Sequence, residues 1–347
     1  MISKEILPQQ YKFSGKKIDV FFDADFSLIE EKLQKDKTIF ITDENVYASH
    51  PENFSGWQSI VIKAGEQFKN QQTVDSIINQ LINLHADRQT FIVGIGGGVI
   101  TDIAGFVASI YMRGVKFAFV PTSILAMVDA SIGGKNGIDV GVYKNLVGVI
   151  NHPEFLLYDY SFLETLPDEE WVNGFAEIIK HACIKDNEMF QFLEKHSIMN
   201  FQASLEDTAT IIKRNVDIKY NVVANDEKET GERKLLNFGH TIGHAIENTS
   251  GLPHGHAISI GMIAACHISE AINDFNIADT NRIAELLAKY ELPVSFTSDK
   301  QQTWEILLHD KKKSGNSMSF VVLDTIGAAS IKSMPLDQLH NIFNSIL

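Results

Sequence analysis

In the first half of the chain, short runs of β-branched and aromatic residues alternate with stretches whose apolar positions recur every three or four residues. Residues 18–22, 38–42, 59–63, 90–95 and 116–121 read as strands, the last ended by Pro121. Between them, residues 73–84 put Val74, Ile77, Ile78, Leu81 and Ile82 on one stripe and read as an amphipathic helix. Strands alternating with helices imply parallel pairing in a three-layer sheet, whose ligands sit beyond the carboxyl ends of the strands. From about Pro167 the pattern becomes nearly all helical. Trp171, Phe175, Ile178, Ile179 and Ala182 form one stripe, and Ile283, Leu286, Leu287 and Tyr290 form another. The expected fold is an α/β N-terminal domain with a parallel sheet over residues 1–160, then an all-α C-terminal domain over residues 161–347. The break falls in the segment 151–168, which carries two prolines. No internal repeat or low-complexity stretch interrupts this division.

Charge and composition narrow the function classes. The 347 residues, 44% of them hydrophobic, suffice for one large or two medium cores. A formal net charge of −14 argues against sequence-independent nucleic-acid binding and against docking on anionic lipid. An anionic ligand would need a local cluster of bases. Cys183 and Cys266 form no CxxC pair and fall in apolar helical patterns, so buried free thiols are expected. The first ten residues lack a basic segment followed by an apolar stretch, and no uninterrupted apolar run is long enough for a bilayer. The expected compartment is the cytoplasm.

The strand at 90–95 runs into Gly96-Gly97-Gly98, and a helical pattern follows from about Val99. Strand, glycine turn and helix together offer backbone N–H groups and a helix dipole to a phosphate. The pattern departs from the Rossmann fingerprint, because Val99 stands where the third glycine should be, and a tight turn would look the same. Asp102 is placed in the first turn of that helix, where it either stabilises the N-terminus or serves a ligand. Asp43, just after a strand, either caps a turn or accepts hydrogen bonds from an adenosine.

Metal chemistry is suggested further on. His240 and His244 lie four apart on a helix, a spacing that presents two metal ligands, and Glu247 continues their face. His254 and His256 follow closely. A polar helix face and loop would carry the same residues. Glu177, Lys180 and His181 share one face opposite Trp171 and Phe175, and alone read as solvated. Lys219 falls inside the stripe of Ile212, Val216 and Val223. It either snorkels to the surface or needs a buried anionic partner. Arg113, Lys135, Lys144, Arg233 and the run 311–313 supply further bases.

In order along the chain stand Gly96-Gly97-Gly98-Val99-Ile100-Thr101-Asp102, Arg113-Gly114, Val120-Pro121-Thr122-Ser123, Asp129, Gly133-Gly134-Lys135 and Lys144-Asn145. Then come Phe162-Leu163-Glu164-Thr165, Gly174-Phe175-Ala176-Glu177-Ile178-Ile179-Lys180 and the segment from Leu235 through His240 and His244 to Glu247. His254-Gly255 and Asp310-Lys311-Lys312 complete the set. This series resembles the 3-dehydroquinate synthase family, within the sugar phosphate cyclase superfamily, from about Asp43 to Lys312. The resemblance implies an NAD-binding α/β domain and a helical metal- and substrate-binding domain.

It also implies roles residue by residue. The metal ligands would be Glu177, His240 and His254, with zinc the ion and cobalt a substitute. This replaces the local pairing of His240 with His244, and gives His244 a proton-transfer role. Catalytic roles fall to His244, Glu229, Lys180 and Arg233. NAD would be held by Asp43, Asn45, Gly65, Glu66, Gln67, Phe68, Lys69, Gly97, Gly98, Val99, Ile100, Thr101, Asp102, Thr122, Ser123, Lys135, Lys144, Phe162, Leu163, Glu164 and Thr165. Substrate contacts would come from Arg113, Asp129, Asn145, Lys219, Asn237 and Lys311. Arg113 would reach the phosphate from a neighbouring subunit of a homodimer.

The implied substrate is 3-deoxy-D-arabino-heptulosonate 7-phosphate. Transient oxidation, phosphate elimination, re-reduction and an internal aldol closure give 3-dehydroquinate. Two departures stand out. His256 replaces a glutamate frequent in the family, and Asn136 stands where threonine is common. The competing readings are a metal-dependent alcohol or glycerol dehydrogenase, another sugar phosphate cyclase, and a non-catalytic NAD- or anion-binding module.

Overall fold

The computed structural model describes residues 7–13, 15–141, 143–296, 300–309 and 317–346. Lys311, expected to touch substrate, lies outside the described residues, as do Asp310 and Lys312. The chain divides into two compact units, Met1–Glu170 with Leu205–Tyr220, and Trp171–Ser204 with Asn221–Leu347.

Among the described residues, the first unit has nine strands. They are β1 (Gln9–Phe13), β2 (Lys16–Phe21), β3 (Thr38–Asp43), β4 (Gln58–Ile62), β5 (Phe91–Gly96), β6 (Lys116–Pro121), β7 (Lys135–Val140), β8 (Tyr143–Ile150) and β9 (Phe155–Leu157). Seven of them form one sheet in the order β1-β2-β9-β6-β5-β3-β4, and β7 and β8 form a separate antiparallel hairpin. All sheet pairings are parallel except β1 with β2. Residues of β3 are buried along its whole length, as a strand covered on both faces requires. Phe40, Val93, Ile95, Val120 and Leu157 pack one face against Phe26, Phe54 and Trp57.

The chain leaves β3 for the outer strand β4 and returns on the other side of β3 as β5. The direction of winding therefore reverses between β3 and β5. Their carboxyl ends, Asp43 and Gly96, flank the crevice where such sheets bind ligands. Thus the topology puts the acidic residue and the glycine loop together, although half of the sheet order was not written in any local pattern. The five expected strands form within a residue or two of their expected limits. The helix expected at 73–84 spans Gln71–Asn83 and buries Val74, Ile77 and Leu81, but Ile82 is exposed. The stripe is narrower than the sequence suggested.

Among the described residues, the second unit is helical apart from one antiparallel hairpin, β10 (Ser317–Thr325) with β11 (Ala328–Pro335). That hairpin was not foreseen. Met318, Phe320, Val322 and Met334 on its inner face pack against Ile242, Ile246, Ile260, Ala264 and Ile268. The helix His254–Asn273 is, by length and composition, apolar enough to cross a membrane, but 72% of that stretch is buried in the protein. Its apolar character is that of a core helix. Cys183 and Cys266 are both buried and free.

Candidate active site

In the first unit the glycine turn is as the sequence implied. β5 ends at Gly96, Gly97 caps, and the helix Gly98–Ile110 follows at once. Val99, Ile100 and Thr101 form its first turn, with Thr101 Oγ1 donating to the Gly98 carbonyl at 3.0 Å. Asp102 does not lie in that first turn. It sits one turn in, and its carboxylate meets Lys69 Nζ at 2.5 Å. Lys69 is buried and also donates to Asn145 Oδ1 at 2.7 Å. Burial works against the charged lysine, but Asp102 and Glu66 hold its pKa above the ordinary value. Lys144 approaches Glu66 at 3.4 Å, and Asp139 holds Asn145 through its backbone N–H at 2.7 Å. One polar network therefore joins the 65–69 loop, the glycine helix and the β7–β8 hairpin.

Asp43 caps the next helix, accepting from the backbone N–H groups of Asn45 (2.9 Å) and Val46 (3.0 Å). Gly65 has φ +114°, a conformation open to glycine, and starts the turn Glu66–Phe68 that includes Gln67. Thr122 and Ser123 are buried just beyond β6, and the Thr122 N–H donates to the Gly96 carbonyl at 3.0 Å. Phe162 and Leu163 are buried, Phe162 among the apolar side chains of the core, while Glu164 and Thr165 are exposed. Thr165 Oγ1 lies 2.7 Å from His50 Nε2. Arg113 is exposed on a turn where it and Met112 both have positive φ. Lys135 is exposed at the start of β7.

Of the two possibilities for Lys219, it has the anionic partner. Its Nζ meets Asp129 Oδ1 at 2.7 Å and the Asp129 carbonyl at 2.6 Å. Asn136, one of the two departures from the family pattern, is buried and donates to the carbonyls of Gly134 and Asn151 at 2.9 and 2.8 Å. Its amide thus pins the glycine turn beside Lys135.

The second unit holds the histidines. The helix Asp168–Lys185 is buried nearly all round, so Glu177, Lys180 and His181 are not solvated: their exposures are 0%, 1% and 0%. Lys180 pairs closely with Glu177 Oε2. Glu177 Oε1 has no hydrogen bond of normal geometry among the described residues, yet lies 3.4 Å from Nε2 of both His240 and His254. Close helix packing makes this possible. A Cβ on Gly255 would stand 2.3 Å from the Asn173 carbonyl, and one on Gly261 would stand 2.0 Å from the Gly239 carbonyl. The helix His254–Asn273 can therefore lie directly on the two helices that carry Glu177 and His240.

Burial and the Lys180 ammonium push His240 well below the ordinary imidazole pKa. Burial also opposes charge on Glu177, but Lys180 and His240 outweigh it and hold the carboxyl well below its usual range. His254 lies between two carboxylates. Against the cost of burial, Glu177 and Glu247 raise its pKa to about 10. His240 Nδ1 donates to the Phe238 carbonyl at 3.1 Å, which leaves Nε2 bare. Glu177 Oε1 is 3.4 Å from each imidazole nitrogen, and all three ligand atoms lie within 4.8 Å of one another, a spacing that can close on a tetrahedral ion with bonds of ~2.1 Å. The donor set, one carboxylate and two imidazoles with open positions, fits a catalytic divalent ion. The locally suggested partner, His244, is not in this trio. It belongs to another, with Glu247 and His254, and its ring centre is 5.1 Å from that of His240.

The segment before His240 is organised by Asp226, which sequence reasoning missed. It accepts from the backbone N–H groups of Thr230 (2.9 Å), Gly231 (2.7 Å) and Arg233 (3.1 Å). Against some desolvation, these bonds hold its pKa at about 2. An aspartate four or five residues before Thr230-Gly231 was the available signal. The loop it closes carries Glu229, at φ +57°, which accepts from Asn237 Nδ2 at 2.6 Å. Arg233 is buried and donates to the Glu227 carbonyl at 2.7 Å. His256 is half-buried.

The family description "3-dehydroquinate synthase N-terminal" matches residues 59–173, and "3-dehydroquinate synthase C-terminal" matches residues 174–313. A 3-dehydroquinate synthase of Streptococcus thermophilus is 40% identical over 320 residues, covering 87% of this chain and 88% of its own. A solved 2-deoxy-scyllo-inosose synthase, complexed with carbaglucose-6-phosphate, NAD+ and Co2+, superposes with a TM-score of 0.83 at 25% identity, over 98% of this chain and all of its own. The 2-epi-5-epi-valiolone synthase of Streptomyces hygroscopicus, with NAD+ and Zn2+ bound, gives a TM-score of 0.87 at 24% identity, over 96% and 97%, and supports the fold alone.

Proposed function

The chain belongs to the 3-dehydroquinate synthase family, and from that premise we propose that it converts 3-deoxy-D-arabino-heptulosonate 7-phosphate to 3-dehydroquinate and phosphate. This is a step of the shikimate pathway to the aromatic amino acids. The observation that carries the reading is the buried Glu177 turned towards Nε2 of both His240 and His254. A non-catalytic module has no use for such a trio.

NAD and a divalent ion, zinc or cobalt, are the proposed cofactors. When bound, the nicotinamide takes up and returns one hydride, and the ion polarises the hydroxyl that is oxidised. Glu177, His240 and His254 hold the ion. The Lys180 ammonium neutralises the second oxygen of Glu177, so the ligand carboxylate stays charged in its buried position. His244 moves a proton beside the ligands. Asp43 and the amides after Gly96 serve the nucleotide at the sheet's switch point, and the pair of Lys69 with Asp102 fixes the loop beside them. Arg233, Lys219, Asn145 and Asn237 are assigned to the substrate's anionic and hydroxyl groups. Arg113 is assigned to the phosphate on a neighbouring subunit.

A homodimer in the cytoplasm is part of the same reading. The β7–β8 hairpin supports the dimer, because Val140, Tyr143, Leu146 and Ile150 are apolar and exposed on it. Sedimentation of the wild type against Leu146→Glu checks it: the wild type should run as a dimer and the variant should shift towards monomer.

The activity test is direct. The chain with the heptulosonate phosphate, NAD and zinc should release phosphate with no net NADH, because the hydride is returned each turnover. NADH accumulating in step with phosphate, or formed from an uncharged alcohol, would instead identify a dehydrogenase. Arg233→Lys keeps the charge but loses the planar fork. It should cost the reaction with the phosphate substrate about 1–3 kcal/mol in kcat/KM, the scale of a charged hydrogen bond. NAD affinity, measured by fluorescence titration, should stay unchanged.

A further inference from the structure

The two histidines facing Glu177 are anchored differently on their far sides. His240 Nδ1 donates to the Phe238 carbonyl at 3.1 Å, which fixes that ring with Nε2 unprotonated and turned inward. For His254 the corresponding group is a carboxylate. Its Nδ1 stands 3.5 Å from Glu247 Oε2, while its Nε2 faces Glu177 Oε1 at 3.4 Å. Glu247 is 5% exposed, one turn beyond His244 on the helix His240–Ser250. A buried carboxylate oxygen needs a strong donor, and the His254 imidazole faces Oε2 at 3.5 Å, just beyond a hydrogen bond of normal geometry. A Cβ on Gly243 would stand 2.8 Å from Ile258 Cδ1, so the helix that carries Glu247 packs closely on the helix that carries His254.

We propose that Glu247 is the positioning residue of the ion site: its carboxylate takes the Nδ1–H of His254 and so presents Nε2, bare and correctly turned, beside Glu177. Such a carboxylate does two things to a ligand histidine. It selects the tautomer and makes the coordinating nitrogen a better donor. Glu247 touches neither substrate nor ion in this role. The family resemblance assigns it no role, although it ends the motif from Leu235, and in the sequence it continues the face of His240 and His244. The inference rests on the proposed ion site formed by Glu177, His240 and His254.

Chelator competition on the full chain tests it, with zinc as the probe. Glu247→Ala should bind zinc about 10–100-fold more weakly than the wild type, the usual loss for such partners. Glu247→Gln, whose amide oxygen can still accept from Nδ1–H, should recover part of that affinity. With cobalt in place of zinc, the visible absorption of the Gln variant should shift, because the field at His254 changes. A merely structural role would leave that spectrum alone. Should the Ala variant fail to fold by circular dichroism, the Gln variant decides by the same two readouts. Wild-type zinc affinity and an unchanged cobalt spectrum would overturn the proposal. So would two zinc ions per chain with one lost in the Glu247 variants, since Glu247 would then be a ligand, together with His244 and His254. Glu177→Gln separates the two levels. If it too binds zinc like the wild type, the ion site itself fails and the proposal falls with it. If it loses zinc while both Glu247 variants keep it, only the role of Glu247 is overturned.

Discussion

Glu177→Ala should lose both the ion and a large part of the stability of the second unit. Glu177 is fully buried, and its partner Lys180 is 1% exposed. Removing the carboxylate breaks a buried ion pair from one side, a change that costs about 3–5 kcal/mol in comparable pairs. It also deletes the one ligand that faces both His240 and His254. Loss of several kcal/mol of Lewis-acid stabilisation corresponds to a fall in turnover of about 10³-fold or more. Glu177→Gln preserves the volume but not the charge. Zinc content by elemental analysis and denaturant midpoints of the apo chain separate the two effects. The pH dependence has a definite sign. The folded carboxyl titrates well below its ordinary value, so its contribution is fully present above the unfolded value of about 4.3. It is lost only as pH falls through the lower, folded value. The stability gap between wild type and Glu177→Gln should therefore narrow in acid. An apo-form midpoint in Glu177→Ala equal to that of the wild type would contradict the buried-pair argument.

Glu177 also shows where sequence periodicity stops being informative. On the helix Asp168–Lys185 the stripe of Trp171, Phe175, Ile178, Ile179 and Ala182 was legible, and all five residues are buried. The charged face opposite looked solvated because charged residues usually are. It is buried: Glu177 pairs with Lys180 one turn along, and its other oxygen faces His240 and His254 on two other helices. A single helix carries no record of that. The resemblance in motif order, not periodicity, was what named Glu177. Lys219 was the reverse case. A lysine inside an apolar stripe left two possibilities, a side chain reaching the surface or an anionic partner, and the half-buried Asp129 is that partner at 2.7 Å, from a position 90 residues earlier.

The sheet was legible where strands are long and apolar. β3 and β5 are covered on both faces, and apolar residues stand side by side in them, as in Ile39-Phe40-Ile41 and Phe91-Ile92-Val93. β1 escaped notice because at an edge only Tyr11 and Phe13 are buried, and polar residues alternate with them. β9 has three residues, too few for any period to register. The β7–β8 hairpin presents apolar side chains to the outside, so it violates the inside–outside rule on which strand reading depends. His254 is a related case. It opens a helix 14 residues after His240, and close packing through Gly255 and Gly261 brings it beside Glu177. The spacing of four between His240 and His244 was the stronger local signal, but it pointed to the wrong second imidazole for the trio around Glu177.

His244 itself should prove indispensable to turnover and dispensable for the ion. It lies one turn beyond His240 on the same helix face, with ring centres 5.1 Å apart, and is 6.1 Å by the same measure from His254. It is therefore beside the trio without belonging to it. An imidazole there can take or return a proton at a group held by the ion, and positioned acid–base groups of this kind contribute about 10²–10⁴-fold. His244→Ala should retain stoichiometric zinc and NAD affinity while kcat falls by about that factor, with KM little changed. His240→Ala provides the contrast, because it should lose zinc and activity together. The same pair of variants tests the local reading of the sequence against the three-dimensional one. If His240 and His244 were the true ligand pair, both alanine variants would lose zinc equally, and His254→Ala would keep it. If the trio around Glu177 is the site, His254→Ala should lose zinc and His244→Ala should not. An external imidazole added to His244→Ala sharpens the distinction. It should restore part of the turnover without altering zinc content, since a missing proton carrier can be replaced from solution and a missing ligand would show first in the metal.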